Sequence, residues 1–217
     1  MKQIFAVLPE HLNPVSEGEK LLLECKEREE RLRGMLFRDI TADQLDFSGI
    51  MAAGVKFVNC RFWNCSFERC EFTDVIFENC DLSGSDLNNG FFRSVRLQEC
   101  KGVGASFAGC SILGMEISES NLSYANFDGC RLENIRAEDT EMNSANLTQC
   151  RCKSVHWERM QFSHASFFKT RLQGMDFSDS DISDLVLSDD CSELKGAVVD
   201  LYQAAELSRR MGLVIKS

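Results

Sequence analysis

A large apolar side chain recurs at every fifth position along most of the chain, and that period constrains the fold more than any other feature. It runs Phe57, Phe62, Phe67, Phe72, Phe77, Leu82, Leu87, Phe92, Leu97, then Phe107, Ile112, Ile117, Leu122, Phe127 and Leu132. It continues through Met142, Leu147, Trp157, Phe162, Phe167, Leu172, Phe177 and Ile182 to Leu187. Gly102, Ala137 and Cys152 are its weak members, and it extends back through Phe47 to Phe37 with Ala42 and Ala52 in the gaps. No insertion breaks the frame between Phe37 and Leu187. A step of five matches neither the roughly 3.6-residue period of a helix nor the roughly 2-residue period of a strand. The chain must therefore turn once per unit.

A second series lies two positions before each central residue. Cys60, Cys65, Cys70, Val75, Cys80, Ser85, Gly90, Val95, Cys100, Ala105, Cys110 and Met115 are small or apolar. Two side chains in five thus point inward, one large and one usually small, and the rest are mostly polar. Every twentieth member sorts by size: Val55, Val75, Val95, Met115, Ile135, Val155 and Met175 in one column, Cys65, Ser85, Ala105, Ala125, Ala145 and Ala165 in another. Such sorting is expected when four units make one coil and like residues stack, so the solenoid has four sides. With hydrogen-bonded neighbours about 4.8 Å apart, the rod is roughly 37 Å long.

Segments such as Cys80-Asp81-Leu82-Ser83-Gly84, Ala125-Asn126-Phe127-Asp128-Gly129 and Ala145-Asn146-Leu147-Thr148-Gln149 resemble the A-(D/N)-(L/F)-x-x unit of pentapeptide repeat proteins. The resemblance implies an all-β solenoid, a right-handed quadrilateral β-helix. Its handedness rests on the resemblance; its four sides follow from the spacing.

Solenoids need covered ends, because an open coil pairs with another molecule. Residues 1–34 are expected to supply a strand and a helical cap, 35–190 the β-helix, and 191–217 a C-terminal helix and tail. Ser16-Glu17-Gly18-Glu19 fits a capping box, and Lys20 to Arg33 is rich in helix formers, with Gly34 as a stop. Leu22, Cys25 and Leu32 mark the buried face. At the other end, Leu201, Ala204, Ala205, Leu207, Met211, Leu213 and Ile215 are more apolar than a solvated tail requires. This end resembles the C-terminal helix through which pentapeptide repeat proteins of the quinolone-resistance type dimerise. A homodimer through Leu201, Tyr202, Ala205, Leu207, Met211, Leu213 and Ile215 is expected.

No catalytic set is visible. His156 and His164 fall at outward positions on adjacent sides, and no phosphate-binding glycine loop, Ser-His-Asp set or carboxylate pair occurs. Eight of the eleven cysteines occupy the small inward position, where Cys serves as a compact hydrophobe. No signal peptide or membrane-length apolar run is visible, which favours thiols over disulfides and a cytoplasmic setting. Cys60, Cys65 and Cys70 face in from different sides and do not converge as zinc ligands do. The expectation is a non-enzymatic protein with no cofactor and no metal.

The net charge of −10 argues against direct nucleic-acid binding. On the side carrying Phe77, Leu97, Ile117, Ala137, Trp157 and Phe177, acidic residues outnumber basic ones two to one. Glu116, Glu119, Glu138, Asp139, Asp176 and Asp179 are its densest cluster. The neighbouring side, with Arg93, Arg131, Arg151, Lys153 and Arg171, is basic. Resemblance to the quinolone-resistance type implies a DNA mimic that engages gyrase or topoisomerase IV through the acidic side and modulates quinolone sensitivity. Its charge is dilute, since B-DNA carries about one negative charge per 1.7 Å. The rival reading is a scaffold or interaction module with an unrelated partner, for which outward Trp63, Phe91, Leu113 and Phe168 offer contacts.

Overall fold

The computed structural model describes residues 5–210 and 212–216. Its strands are β1 (Asn13–Pro14), β2 (Arg31–Arg33), β3 (Met35–Arg38), β4 (Thr41–Asp43), β5 (Met51–Val58), β6 (Arg61–Trp63), β7 (Glu71–Glu78), β8 (Phe91–Gln98), β9 (Ser111–Ser118), β10 (Arg131–Glu138) and β11 (Arg151–Glu158). The helices are α1 (Gly18–Glu27) and α2 (Leu201–Arg210). Every strand pairing is parallel. Along the rod Phe57 lies beside Phe77, Phe77 beside Leu97, Leu97 beside Ile117, Ile117 beside Ala137 and Ala137 beside Trp157. One coil is therefore twenty residues, four units, as the column sorting requires. The long strands fold over two adjacent sides. The other two sides are turns joined coil to coil by single bridges, such as Asp81 to Lys101 and Ser106 to Asn126.

Both inward series are buried, in one continuous core. Like residues stack in register: Phe57 lies 5.0 Å from Phe37 and 4.9 Å from Phe77, and Phe107 lies 4.8 Å from Phe127 with rings 1° apart. Each apolar contact adds to burial, and stacked rings add a further increment. Where a central residue is small, a neighbour fills the space: a Cβ on Gly102 would lie 2.7 Å from Leu122 Cδ2.

The corners are made two residues after each central side chain, where the backbone enters the left-handed region, as at Asn59 (φ 54°), Asn79 (φ 50°) and Gly84 (φ 69°). That conformation suits Gly and Asn, and the sequence supplies them repeatedly at this position, among them Gly49, Gly54, Asn64, Asn89, Gly104, Gly109 and Gly129.

The N-terminal helix differs from its expectation in both bounds. It begins at Gly18 behind Glu17, whose side chain makes no cap and instead pairs with Lys20 at 2.8 Å, so the capping box does not form. It ends at Glu27, and Glu29 turns the chain with φ 54°. Arg31–Arg33 becomes a strand beside Met51–Ala53. The reason is Leu32: it lies five residues before Phe37, joins the frame as an inward side chain and is fully buried. Leu22 and Cys25 seat α1 on the first coils. Lys26 reaches Asp46 at 2.6 Å and holds that carboxyl down at about 2.

At the other end the path continues past Leu187 with the spacing broken. Leu172 N donates to Glu193 O, Gly174 N to Gly196 O, and Asp176 bridges Val198. The buried Glu193 carboxylate fixes this last turn by accepting from Ser188 N, Ser188 Oγ and Lys169 N at 3.1, 2.7 and 2.8 Å.

Candidate functional site

The acidic side is the second half of the long strands, where the residues flanking each buried centre face outward. Twenty-residue register puts Glu116 directly beside Arg96, and the two meet at 2.9 Å (Nε) and 2.7 Å (Nη2). One coil further, Arg159 grips Asp139 with Nε at 2.7 Å and Nη2 at 2.6 Å, approaches Glu138 at 3.7 Å and contacts Glu158. Asp139 is accordingly held below the usual carboxylate range by Arg159. Three of the six expected site residues thus have a cation of their own chain beside them.

The other three do not. Glu119 is exposed at a corner (φ 49°) with no ion pair among the described residues. Asp176 accepts from Ser178 N at 2.9 Å and Ser178 Oγ at 2.7 Å, which lower its pKa. Asp179 accepts from Ser180 Oγ at 3.0 Å. Glu116, Glu119 and Glu138 gather round one open depression of about 670 Å³ with Arg136 and His156 at its rim. Asp176 and Asp179 do not line that depression, and Asp176 is bridged to Val198 on the last coil. Buried Trp157, which also lines the depression, leaves its Nε1 without a hydrogen-bond partner among the described residues.

The C-terminal residues divide between two faces. Gln203 Nε2 donates to Phe177 O at 2.8 Å and Ser180 O at 2.7 Å, Leu207 packs on the core, and Arg210 bonds Leu185 O. These seat α2 on the rod. Leu201 (81% exposed) and Tyr202 (84%) point away from it, with Leu213 (60%) and Ile215 (43%) also open and Ala205 half-buried. Met211 lies outside the described residues. Of the outward apolar residues, Trp63 is tied to Asp81 at 2.9 Å, Arg93 lies over Phe91 at 5.4 Å and Lys169 over Phe168 at 5.0 Å. Leu113 is half-buried.

All eleven cysteines are free thiols, and no cluster of three metal-ligating side chains occurs among the described residues. The inward thiols are hydrogen-bonded groups, which the sequence reading as compact hydrophobes missed. Cys130 Sγ donates to Phe107 O at 2.9 Å, Cys110 Sγ to Leu87 O at 3.1 Å and Cys150 Sγ to Phe127 O at 3.1 Å. Cys80 is pushed up to about 12, first by its bond with Cys100 and then by burial, and burial takes Cys152 to about 12. Such thiols are protonated and poor nucleophiles. No helix among the described residues is long and apolar enough to cross a membrane.

The class these features define is a four-sided parallel β-solenoid with a filled core. The model of the pentapeptide repeat region matches residues 51–127, 70–147 and 103–177, together more than half of the chain. The chain belongs to the pentapeptide repeat family, and its coil is the family's right-handed quadrilateral β-helix. Among solved structures, full-length QnrB1, a plasmid-mediated fluoroquinolone resistance protein, aligns over 93% of this chain and 95% of its own at 24% identity and TM-score 0.54. A trypsin-treated form of QnrB1 aligns over 83% and 99% at 19% identity and TM-score 0.52. HetL, from the cyanobacterium Nostoc, aligns over 87% and 98% at 18% identity and TM-score 0.39. No curated protein matches the chain.

Proposed function

We propose that the protein acts by binding rather than catalysis, as a cytoplasmic DNA mimic that engages a type II topoisomerase, gyrase or topoisomerase IV, and modulates quinolone sensitivity. The observation that carries this reading is a slender, filled, acidic rod of QnrB1-like fold, with one side on which carboxylates predominate. Glu119, Asp176 and Asp179, which form no ion pair among the described residues, are its contact groups, while Glu116, Glu138 and Asp139 shape the side through their arginines. The rod works as a homodimer, its copies joined end to end through the outward face of α2 and the tail after it. It binds no nucleic acid itself and takes no cofactor or metal.

Gyrase supercoiling with the purified protein titrated in, with and without a fluoroquinolone, tests the reading. Inhibition, or relief of drug poisoning, is expected at micromolar protein or below. Glu119→Lys combined with Asp179→Lys should weaken the effect and its dependence on salt. Without any effect on gyrase or topoisomerase IV, the topoisomerase reading is lost. The internal pairing of Arg96 with Glu116 and Arg159 with Asp139 then favours the second reading, an interaction module whose partner does not depend on a strong negative field.

A further inference from the structure

The sheet of long strands stops at β11, and the coil after it does not take its place. No bridge and no backbone hydrogen bond joins residues 151–159 to residues 171–179 among the described residues. The missing bonds are those that the frame makes elsewhere. Arg151 N donates to Cys130 O at 2.8 Å, but Arg171 N does not reach Cys150 O; Asp139 N donates to Glu158 O at 3.1 Å, but Arg159 N does not reach Ser178 O. The amides of Cys152, Ser154 and Trp157 hold the unit positions from which Phe62, Asn64 and Phe67 donate to the next coil at 2.7, 3.0 and 2.6 Å, and they too lack an acceptor. The upper coil closes turns where β11 runs extended, Met175 N donating to Leu172 O at 3.0 Å. The other two sides stay joined, with Gln161 bridged to Asp181 and Ser166 to Val186. The rod is thus open between two coils on its strand-bearing sides only.

A depression of about 260 Å³ lies at this opening, lined by Cys152, Val155 and Met175 and by Lys153, His156 and Arg171. Cys152 is only half-buried, whereas Phe92, Ile112, Leu132 and Leu172 of its column are buried. No carboxylate lines the depression, although the chain carries a net charge of −10. Arg171 has no ion pair among the described residues, and Lys153 shares Glu133 with Arg131, both at 2.8 Å. A second depression, of about 670 Å³, shares Arg171 and Gln173 with the first and adds Lys169 and Lys195. Its carboxylates, Asp190 and Glu193, each accept from Ser188 Oγ at 2.7 Å. A strand edge without its neighbour is a template for another chain, and buried backbone groups call for partners. This edge offers both kinds of group, since Cys150 O and Val155 O receive no bond from the amides of Arg171 and Asp176. A peptide backbone supplies donors and acceptors together, whereas a phosphate chain supplies acceptors alone.

We propose that the open edge of β11 is a docking site for an extended acidic segment of a partner protein, which pairs with β11 through its backbone and sets carboxylates beside Arg171, Lys153 and His156. Main-chain bonds to a sheet edge give such a segment its affinity, and the groups facing its alternate side chains give its specificity. Here those groups are apolar on one side, at Cys152, Val155 and Met175, and cationic on the other. The segment that fits alternates apolar and acidic residues. Charge complementarity selects it over a basic or neutral strand.

The test uses the full-length protein, with amide exchange read by nuclear magnetic resonance. In the free protein the amides of Cys152, Ser154 and Trp157 should exchange at least about a hundredfold faster than those of Leu132, Asn134 and Ala137 one coil below. A fluorescein-labelled peptide alternating glutamate and valine should bind saturably in polarisation and protect the three amides, while a lysine and valine peptide should not bind. Arg171→Glu should weaken the binding at least about tenfold. Circular dichroism checks that this variant keeps the rod, and Lys153→Gln, expected to weaken binding several-fold, serves where it does not. Slow exchange of the three amides in the free protein overturns the proposal, because the edge is then closed. Fast exchange without peptide binding overturns it, as do equal binding of both peptides and binding that leaves exchange unchanged. Tighter binding of a thymidine oligonucleotide than of the acidic peptide also overturns it, making the ligand a phosphate chain. None of these readouts involves a topoisomerase, so this proposal and the functional one stand or fall apart.

Discussion

The inward small position explains why Cys, Ser, Thr and Ala are not used interchangeably. Where a unit closes as a turn, its small residue donates to the preceding centre, as Ala105 N does to Gly102 O at 3.0 Å and Ala125 N to Leu122 O at 3.1 Å. The amide is satisfied within the backbone, and Ala suffices. In the column Cys60, Cys80, Cys100, Ser120, Thr140, Met160 a side chain of the next coil supplies the acceptor instead at several positions, as Thr140 Oγ1 does for Ser120 N at 3.4 Å. Cys100 N uses Ser120 Oγ at 3.0 Å, and Met160 N uses Ser180 Oγ at 3.0 Å. A buried amide without an acceptor costs the desolvation of that group. Ser120→Ala should therefore lower stability in urea unfolding by about 1–3 kcal/mol, and Ser120→Cys by clearly less, since sulfur still accepts. If the two substitutions cost the same, the column is a matter of volume only.

At the scale of elements, α1 is held to the rod chiefly by Leu22, Cys25 and one ion pair. Asp46 sits at about 2 when folded because Lys26 and Ser48 hydrogen-bond its charged form. An unfolded Asp titrates at about 3.9, so the pair's contribution is fully present above about pH 4 and is lost as pH falls toward 2. Thermal melts should show wild type above Lys26→Ala by a constant small margin from neutral pH to about 4, the two converging by about pH 2. A margin that persists at pH 2 would place the effect in packing of the Lys26 stem. This helix also shows what was legible in the sequence. Lys20 to Arg33 has uniform helical propensity, yet Arg31–Arg33 pairs as a strand, because tertiary burial of Leu32 outweighs propensity. The frame itself held that signal: Leu32 lies five residues before Phe37 and twenty before Ala52, with Gly34 at the corner position. The ion pairs of the acidic side were legible in the same way, since Arg96 and Glu116 occupy one column, but counting charge by side hid them. The seating of α2 was not. Leu201 and Leu207 are equally apolar, and only the placement of the last coil decides which one is covered; the segment before β1, in which Ala6 is buried, has no periodic signal at all.

For the molecule as a whole, a solenoid extends until something stops it, and the two ends stop it differently. At the N-terminal end α1 covers the first coils. At the C-terminal end the broken spacing after Leu187 and the Glu193 turn close the last coil, and α2 covers it with Gln203 and Leu207. That cover is itself apolar on its far side: Leu201 and Tyr202 remain almost wholly exposed, followed by Leu213, Val214 and Ile215. Apolar groups gathered at one end of an otherwise polar rod are the feature expected of a contact between copies, and a two-fold axis there buries the same residues twice. Leu201→Asp with Tyr202→Asp should give a monomer in light scattering with an unchanged circular dichroism spectrum and melting temperature. Leu207→Asp should act differently, lowering the melting temperature, because it strips the rod's own cover. A wild-type protein that is monomeric at all accessible concentrations would remove the dimer, and a double variant that stays dimeric would move the interface off α2.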